Sequence, residues 1–237
     1  IVAPHPRAKL TNKKICDLMR AALKKMGAPE DLVIGIETPS LETTNELMRQ
    51  CDLVLATGGG AMVHAAYSSG SPALGVGVGN AVITVDDTAD LDAAAEKIRL
   101  SKTLDLAASC SSDNSVVLLD GIYEPMLEKL RAQGGYLCNE EEKAALRNTL
   151  WDQELHLNTA IVAQPPEKIA QRAGLSIPEE TKFFIVPEEG WGPEHPFSGE
   201  KLSVIMALYR ARDIDHAIEL TQNIQAYQGQ GHSCGIY

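Results

Sequence analysis

Apolar positions recur along the chain with the spacing of helices and strands in turn. In "TNKKICDLMRAALKKMG", Ile15, Leu18, Met19, Ala22, Leu23 and Met26 follow one another at three- and four-residue intervals, the stripe of an amphipathic helix. Thr11 or Asn12 is placed to cap its start, and Gly27 to end it. "DLVIGI" is a short apolar run and predicts a buried strand. "SLETTNELMRQC" predicts a helix opened by capping residues, "CDLVLATGGG" a strand ending in glycines, "AMVHAAYSSG" a helix, and "PALGVGVGN" a strand with a second glycine-rich exit. The order β-α-β-α-β with short turns predicts a parallel sheet covered by helices.

The alternation continues beyond residue 80. "ITVDD" predicts a strand, and "TADLDAAAEKIRLSKTL" a long helix capped by Thr88. A small-residue turn around Cys110 leads into the strand "SVVLLDG". "YEPMLEKLRAQGG", "EEEKAALRNTLW" and "PPEKIAQRAG" predict helices, "KFFIVPEEG" and "LSVIMALYRA" strands, "DIDHAIELTQNIQAYQG" a helix and "HSCGIY" a last strand. There is no internal repeat and no low-complexity linker. "PEEGWGPEHPFSGE" is the longest irregular piece, the kind of loop that often lines a site in α/β proteins.

Composition narrows the picture. The 237 residues suffice for one large domain or two ordinary ones, and 44% hydrophobic with 22% charged residues suits a globular core. A net charge of −11 argues against nucleic acid as the main partner, which needs a basic face. No apolar run approaches the ~20 residues of a membrane helix, and "IVAPHPRAKLT" lacks the pattern of a secretory signal. The opening without Met, inside an apolar run, and an end within a strand lead us to expect a fragment of a longer chain. Five cysteines without paired or zinc-type spacing read as reduced thiols of a cytoplasmic protein, and no metal site is expected.

Candidate chemistry falls in a few places. Cys110 sits among Ala107, Ala108, Ser109, Ser111 and Ser112, which leave room beside the sulfur for a substrate; an ordinary tight turn has the same composition. A free thiol titrates near about 8.5, so a nucleophilic Cys110 needs activation, and no histidine adjoins it in sequence. Gly58, Gly59 and Gly60 follow a strand and open a helix. Such a turn lets backbone approach a phosphate, although the spacing is not G-x-G-x-x-G and a ligand-free β-α turn is equally served. Gly75, Gly77 and Gly79 strip side chains from one face of a strand-like run, either for a ligand or for close packing on a helix. Arg7 and Lys9 could meet a nucleotide, or be solvated charges at a helix start. His5, His64, His156, His195 and His216 read as structural or surface residues. His232, after two glycines, is either a site residue or a strand-start histidine.

Together, "APHPRAK", "LATGGGAMVHAAYSSGSPALGVGVGN", "SKTLDLAASCSSDNSVVL", "PFSGEKLSVIMALYRARD" and "GQGHSCGIY" resemble, in order, the motifs of CoA-acylating aldehyde dehydrogenases. This group includes the aldehyde half of bifunctional aldehyde-alcohol dehydrogenases and the microcompartment propionaldehyde and acetaldehyde enzymes. The resemblance covers essentially the whole chain. It implies that Cys110 is the nucleophile, forming a thiohemiacetal and then a thioester that coenzyme A accepts. The N–H of Cys110 would help hold the oxyanion, together with an Asn from upstream of Ile1. Pro4, His5, Arg7, Thr57, Gly58, Gly59, Gly75, Val76, Gly77 and Glu200 would bind NAD or NADP, Glu200 steadying the nicotinamide ribose. Ser109, Ser111 and His232 would face the substrate. Hydrolytic relatives carry a water-activating Glu in an E-L-G-G-K stretch, and Gly75 stands at that position here, so the thioester would wait for a CoA thiol.

The hydroxyls of "DLAASCSSDNS" point to a short acidic aldehyde, sulfoacetaldehyde or succinate semialdehyde, with the sulfoacetaldehyde branch the closer resemblance. Acetaldehyde and propionaldehyde remain open, as do a hydrolytic dehydrogenase, an acyltransferase without nicotinamide, and a shell or scaffold subunit that keeps the fold. "APHPRAK" lacks the ribose-binding Glu of many NAD-specific relatives, which leaves NADP open. The expected architecture is α/β: a Rossmann-type NAD(P)-binding part over residues 1–80 and an α/β catalytic part over 81–237, with the nicotinamide held in the cleft between them. The full-length chain is expected to form a homo-oligomer, with no membrane or nucleic-acid partner.

Overall fold

The computed structural model describes residues 1–237, which divide into two compact units, Ile1–Gly77 and Val78–Tyr237.

In the first unit the helix α1 (Lys9–Lys25) is followed by α2 (Leu41–Gln50), strand β1 (Val54–Thr57), α3 (Gly60–Tyr67) and strand β2 (Ala73–Val76). β1 and β2 pair in parallel, with Val54 opposite Ala73 and Thr57 opposite Val76. Ser40 caps α2 by accepting the Thr43 N–H at 3.0 Å, as its sequence signals. α1 starts earlier than Thr11 or Asn12 would have it, at Lys9 behind a 3₁₀ turn over Pro6–Ala8, so neither residue is a cap. Pro6 sets the turn from which the helix grows. Gly27 does follow its last turn, with φ +72.

"DLVIGI" does not form the expected strand. Glu30–Leu32 is a 3₁₀ turn behind Pro29, and only Gly35 bridges to Val2. Two hydrogen bonds, Val2 N–H to Ile34 O and Ile36 N–H to Val2 O, tie this segment down. The proline and two acidic residues favour the turn, and Val2 alone gives the rest of the segment no ladder to join.

The second unit holds strands β3 (Ala81–Val85), β4 (Asp113–Leu119), β5 (Gly135–Leu137), β6 (Phe183–Pro187), β7 (Ile205–Ala211) and β8 (Cys234–Ile236). They form one parallel sheet in the order β5-β6-β7-β4-β3-β8. Its helices are α4 (Leu91–Thr103), α5 (Tyr123–Ala132), α6 (Glu140–Leu150), α7 (Pro166–Ala173) and α8 (Ile214–Tyr227). α4 packs on α5 and against β4, while α8 lies across β3, β4 and β7. The β3-α4-β4 and β7-α8-β8 crossovers run in opposite directions along the sheet, so right-handed connections put α4 and α8 on opposite faces. Central strands covered on both faces must be apolar throughout. Val116, Val117, Leu118, Phe184, Ile185, Met206 and Leu208 accordingly lie in one core.

Two expectations fail in this unit. Asp90, not Thr88, caps α4, accepting the Ala93 N–H, and Thr88 instead bonds Asp86. Either residue has the chemistry of a cap, and the chain's direction after Ala89 selects Asp90. Strand β5 was not anticipated, because its three residues follow Gly134, open with a second glycine and resemble the end of α5.

Candidate active site around Cys110

Cys110 lies in the turn that precedes β4. Gly79, before β3, and His232, before β8, lie against it, and Glu200, before β7, bonds in turn to Gly79. The site therefore occupies the amino ends of four adjoining parallel strands.

The turn is held from one side by the end of α4. The Ser112 hydroxyl donates to Ser101 O at 3.0 Å, and the Asp113 N–H donates to Ser101 Oγ at 3.1 Å. Asp105, Leu106 and Ala107 have φ of 46, 55 and 59. Three successive non-glycine residues in the left-handed region cost about 1–2 kcal/mol each. The packing of Ala107, which is buried, holds them there.

On the other side, His232 Nε2 lies 3.2 Å from Cys110 Sγ, and its Nδ1 lies 3.1 Å from Ser233 Oγ. The loop "GQGHS" reaches this position through Gly229 and Gly231, with φ of 88 and 78. A side chain at Gly229 would also strike Asn80. The imidazole can take the thiol proton directly, which supplies the activation that no sequence neighbour offers. Ser109 and Ser111 flank the sulfur residue, with their hydroxyls 2.9 Å apart.

The floor of the site is a polar network. Glu200 Oε1 accepts the Gly79 N–H at 3.0 Å, and the Glu200 N–H donates to Gln228 Oε1 at 2.9 Å. Asn80 Nδ2 donates to Ser198 O and Gln228 O, and Asn114 Nδ2 donates to Asn80 Oδ1 and Gly199 O. Lys201, wholly buried, donates to Phe197 O and Gly199 O. Burial raises the carboxyl of Glu200, while the Gly79 amide, Lys201 and Lys102 act against that shift. Burial pushes Lys102 down to about 7, opposed by the charges of Asp113 and Glu200.

The three spaced glycines have three different surroundings. A methyl group at Gly75 would meet Val63 Cγ1 at 2.6 Å and the Tyr67 ring at 2.8 Å, so this glycine is required by packing on α3. Gly77 faces open space. A methyl group at Gly79 would collide with the Cys110 carbonyl, so the close approach there is that of the thiol turn itself. In the first unit, Gly59 ends the turn after β1 without any side-chain cap on α3, and a methyl group at Gly59 or Gly60 would meet nothing within 4 Å. The first N–H groups of α3 are open to a ligand. His5 Nδ1 accepts the Arg7 N–H at 3.2 Å, and both side chains are exposed beyond Pro4. A cavity of about 140 Å³ is lined by Ile1, Ala3 and Val54–Thr57, which brings the segment leading into Pro4–Arg7 beside β1.

Sequence reasoning did not single out Asn80, Asn114, Lys102, Lys201 or Gln228. For Lys102 a signal existed. It follows Ala94, Ala95 and Ile98 on the buried stripe of α4, where a charge is out of place.

The sequence profile described as "Aldehyde dehydrogenase family" matches residues 1–137, more than half of the chain. The chain belongs to the aldehyde dehydrogenase family. It is 44% identical over 241 residues to a sulfoacetaldehyde dehydrogenase of Acholeplasma sp, covering 100% of this chain and 50% of the relative. It is 43% identical over 240 residues to a sulfoacetaldehyde dehydrogenase (acylating) of Cupriavidus necator, covering 100% and 48%. The crystal structure of an acetylating aldehyde dehydrogenase from Geobacillus thermoglucosidasius superposes with a TM-score of 0.95 at 38% identity, over 99% of this chain and 52% of that one. The chain thus spans about half the length of these relatives.

Proposed function

We propose that the protein is a CoA-acylating, NAD(P)-dependent aldehyde dehydrogenase with Cys110 as its nucleophile. The observation that carries this reading is the 3.2 Å approach of His232 Nε2 to Cys110 Sγ. Relatives over the full length of the chain that are named acylating support it.

His232 accepts the thiol proton, and the sulfur attacks the aldehyde carbon to give a thiohemiacetal. The Cys110 N–H is the donor this chain offers the developing oxyanion. In the first unit, the open turn Thr57-Gly58-Gly59 has uncapped N–H groups suited to the diphosphate of a nicotinamide dinucleotide; in the second, Glu200 has a carboxylate suited to ribose hydroxyls. Pro4, His5, Arg7, Val76 and Gly77 complete the proposed contact set. Gly75 serves it through packing. A nicotinamide dinucleotide would supply the hydride acceptor that turns the thiohemiacetal into a thioester. The CoA thiol then attacks the thioester carbonyl, leaving acyl-CoA and a free Cys110. The sequence carries glycine, at position 75, where hydrolytic relatives carry the water-activating Glu, which favours CoA as the acceptor.

The hydroxyls of Ser109 and Ser111, now bonded to each other, can turn to an anionic tail. This supports sulfoacetaldehyde or another short acidic aldehyde as substrate. No helix of the protein is long and apolar enough to cross a membrane, and all five cysteines are free. We place the enzyme in the cytoplasm, as a homo-oligomer at full length.

The test follows NAD(P)H formation by the full-length protein with sulfoacetaldehyde, succinate semialdehyde, acetaldehyde and propionaldehyde, with and without CoA. Steady turnover should require CoA and should vanish in Cys110→Ala. Steady turnover without CoA would mean a hydrolytic enzyme.

A further inference from the structure

Asn80 is wholly buried, and both polar atoms of its side chain are engaged. Its Oδ1 accepts from Asn114 Nδ2 at 2.6 Å, while its Nδ2 donates to Ser198 O at 2.7 Å and to Gln228 O at 3.1 Å. Asn114 Nδ2 gives its second hydrogen to Gly199 O at 2.7 Å. Each nitrogen meets only accepting oxygens, so neither amide can be reversed without setting acceptor against acceptor.

The two carbonyls that Asn80 holds belong to the two segments that serve Cys110. Ser198 lies two residues before Glu200, whose carboxylate accepts the Gly79 N–H at 3.0 Å. Asn114 and Lys201 both donate to Gly199 O, and Gln228 Oε1 accepts the Glu200 N–H, so each peptide of the 198–200 turn is pinned. Gln228 O opens the loop to His232. A side chain at Gly229 would strike Asn80, and Gly229 O accepts the His232 N–H at 3.0 Å, so the loop leaves Asn80 and closes on the imidazole within one turn. Asn80 itself follows Gly79, which abuts the Cys110 carbonyl. Any buried asparagine needs partners. This one sends its two short donated bonds to the segments bearing the carboxylate and the imidazole.

We propose that Asn80 is a positioning residue for both partners of the thiol: through Ser198 O it sets the turn that carries Glu200, and through Gln228 O the loop that carries His232. The assignment deepens the acylating reading and rests on it, since there Glu200 holds the nicotinamide ribose and His232 takes the thiol proton. Asn80 touches no reacting atom. Without its amide, two buried carbonyls lose their donor and both segments are free to shift. Asn114 holds the Glu200 turn through Gly199 O and makes no bond to the 228–232 loop.

The full-length protein is compared as parent, Asn80→Ala, Asn80→Leu and Asn114→Ala. Three quantities are read: the KM for the dinucleotide, NAD(P)H formed in the first turnover without CoA, and the rate of Cys110 alkylation by iodoacetamide at neutral pH. In Asn80→Ala the KM should rise, and the first-turnover and alkylation rates should each fall about tenfold. Asn80→Leu keeps the shape of asparagine without its donors and should recover neither loss. In Asn114→Ala the KM should rise and the first turnover should fall, with alkylation within about twofold of the parent. Recovery in Asn80→Leu overturns the proposal, because Asn80 would then act by filling space. An Asn80→Ala protein that is less stable to urea yet keeps its KM and alkylation rate also overturns it, and marks a purely structural role. A loss confined to one of those two readouts cuts the link to the other segment and overturns the dual assignment. So does alkylation that falls as far in Asn114→Ala as in Asn80→Ala. If neither Asn80 variant folds, Asn80 is structural and the assignment fails. Parent turnover that needs CoA and Cys110 would leave the acylating reading intact in each of these cases. Activity that survives Cys110→Ala would remove both.

Discussion

The two units carry parallel sheets of very different burial. In the first, Leu55 on β1 and Leu74 on β2 are 73% and 57% exposed, and only Met48, Val54, Ala56 and Ala66 make a buried cluster. In the second, every residue of β4 but the last is buried. A sheet covered on both faces can hold polar groups in fixed positions at its strand ends, because the strands themselves cannot shift. The thiol site exploits this: Gly79, Glu200 and Cys110 stand before strands paired on both sides, and His232 before the edge strand β8, which pairs with β3. The first unit offers an open glycine turn instead, suited to a ligand that brings its own surface.

The sharpest way to break this comparison is truncation of one side chain in each sheet. Phe184→Ala in β6 should cost about 3–5 kcal/mol, while Leu55→Ala should stay within about 0.5 kcal/mol. Denaturant unfolding of the two variants reads both. A large cost at Leu55 would mean that this face is covered in the working protein.

The glycines give the next contrast. Gly79→Ala forces a methyl group onto the Cys110 carbonyl, and a shift of the thiol turn by a fraction of an ångström should lower turnover on the order of 10²-fold. Gly75→Ala presses on the side chains of Val63 and Tyr67 and should cost about 1–3 kcal/mol in stability, with a smaller effect on turnover. Turnover and unfolding measured on both variants separate the two roles.

These residues also show where the sequence was legible. Fold class could be read because strands buried on both faces are unbroken Val, Ile and Leu runs, and helices carry stripes. β5 was missed because three residues behind Gly134 show no period. Cys110 and His232 stood out through the small residues and glycines around them, yet their contact joins positions 122 apart in sequence, which no local pattern encodes. Asn80 and Asn114 were passed over because each sits beside apolar strand residues and bonds to the other and to backbone carbonyls brought in by distant segments. The glycine series was read as one feature. It is two features, because Gly75 packs on a helix of the first unit and Gly79 on the thiol turn of the second.

A pH series sharpens the view of the second unit's interior. Lys102 falls from 10.5 to about 7 on folding, so between those values the unfolded chain binds the extra proton. Stability should therefore rise with pH across this window, the burial penalty being full below about 7. Asp113, Glu200 and Lys201 are the charges that face it, and Lys201, also lowered, acts in the same direction. Cys138, pushed up to about 12 from 9, works against the rise once unfolded thiols ionise. Urea unfolding from pH 7 to 9 should show the gain, and Lys102→Met should reduce it to the share that Lys201 contributes. A parent whose stability is level over this range would place Lys102 in a wetter setting than its burial indicates.

The smallest expected effect lies in the turn before the thiol. Ala107, with φ 59, is buried and is held in a conformation that glycine adopts freely. Ala107→Gly relieves that strain in the folded protein but also loosens the unfolded chain and removes a buried methyl group. The three contributions are each about 1 kcal/mol and of mixed sign, so the net change in stability should be below about 1 kcal/mol. Alkylation of Cys110 is the more telling readout. If the left-handed turn fixes the sulfur against His232, a freer backbone should slow alkylation at constant stability. If the buried sheet alone positions the thiol, the rate should not change, and the strain at 105–107 would be a by-product of how α4 ends.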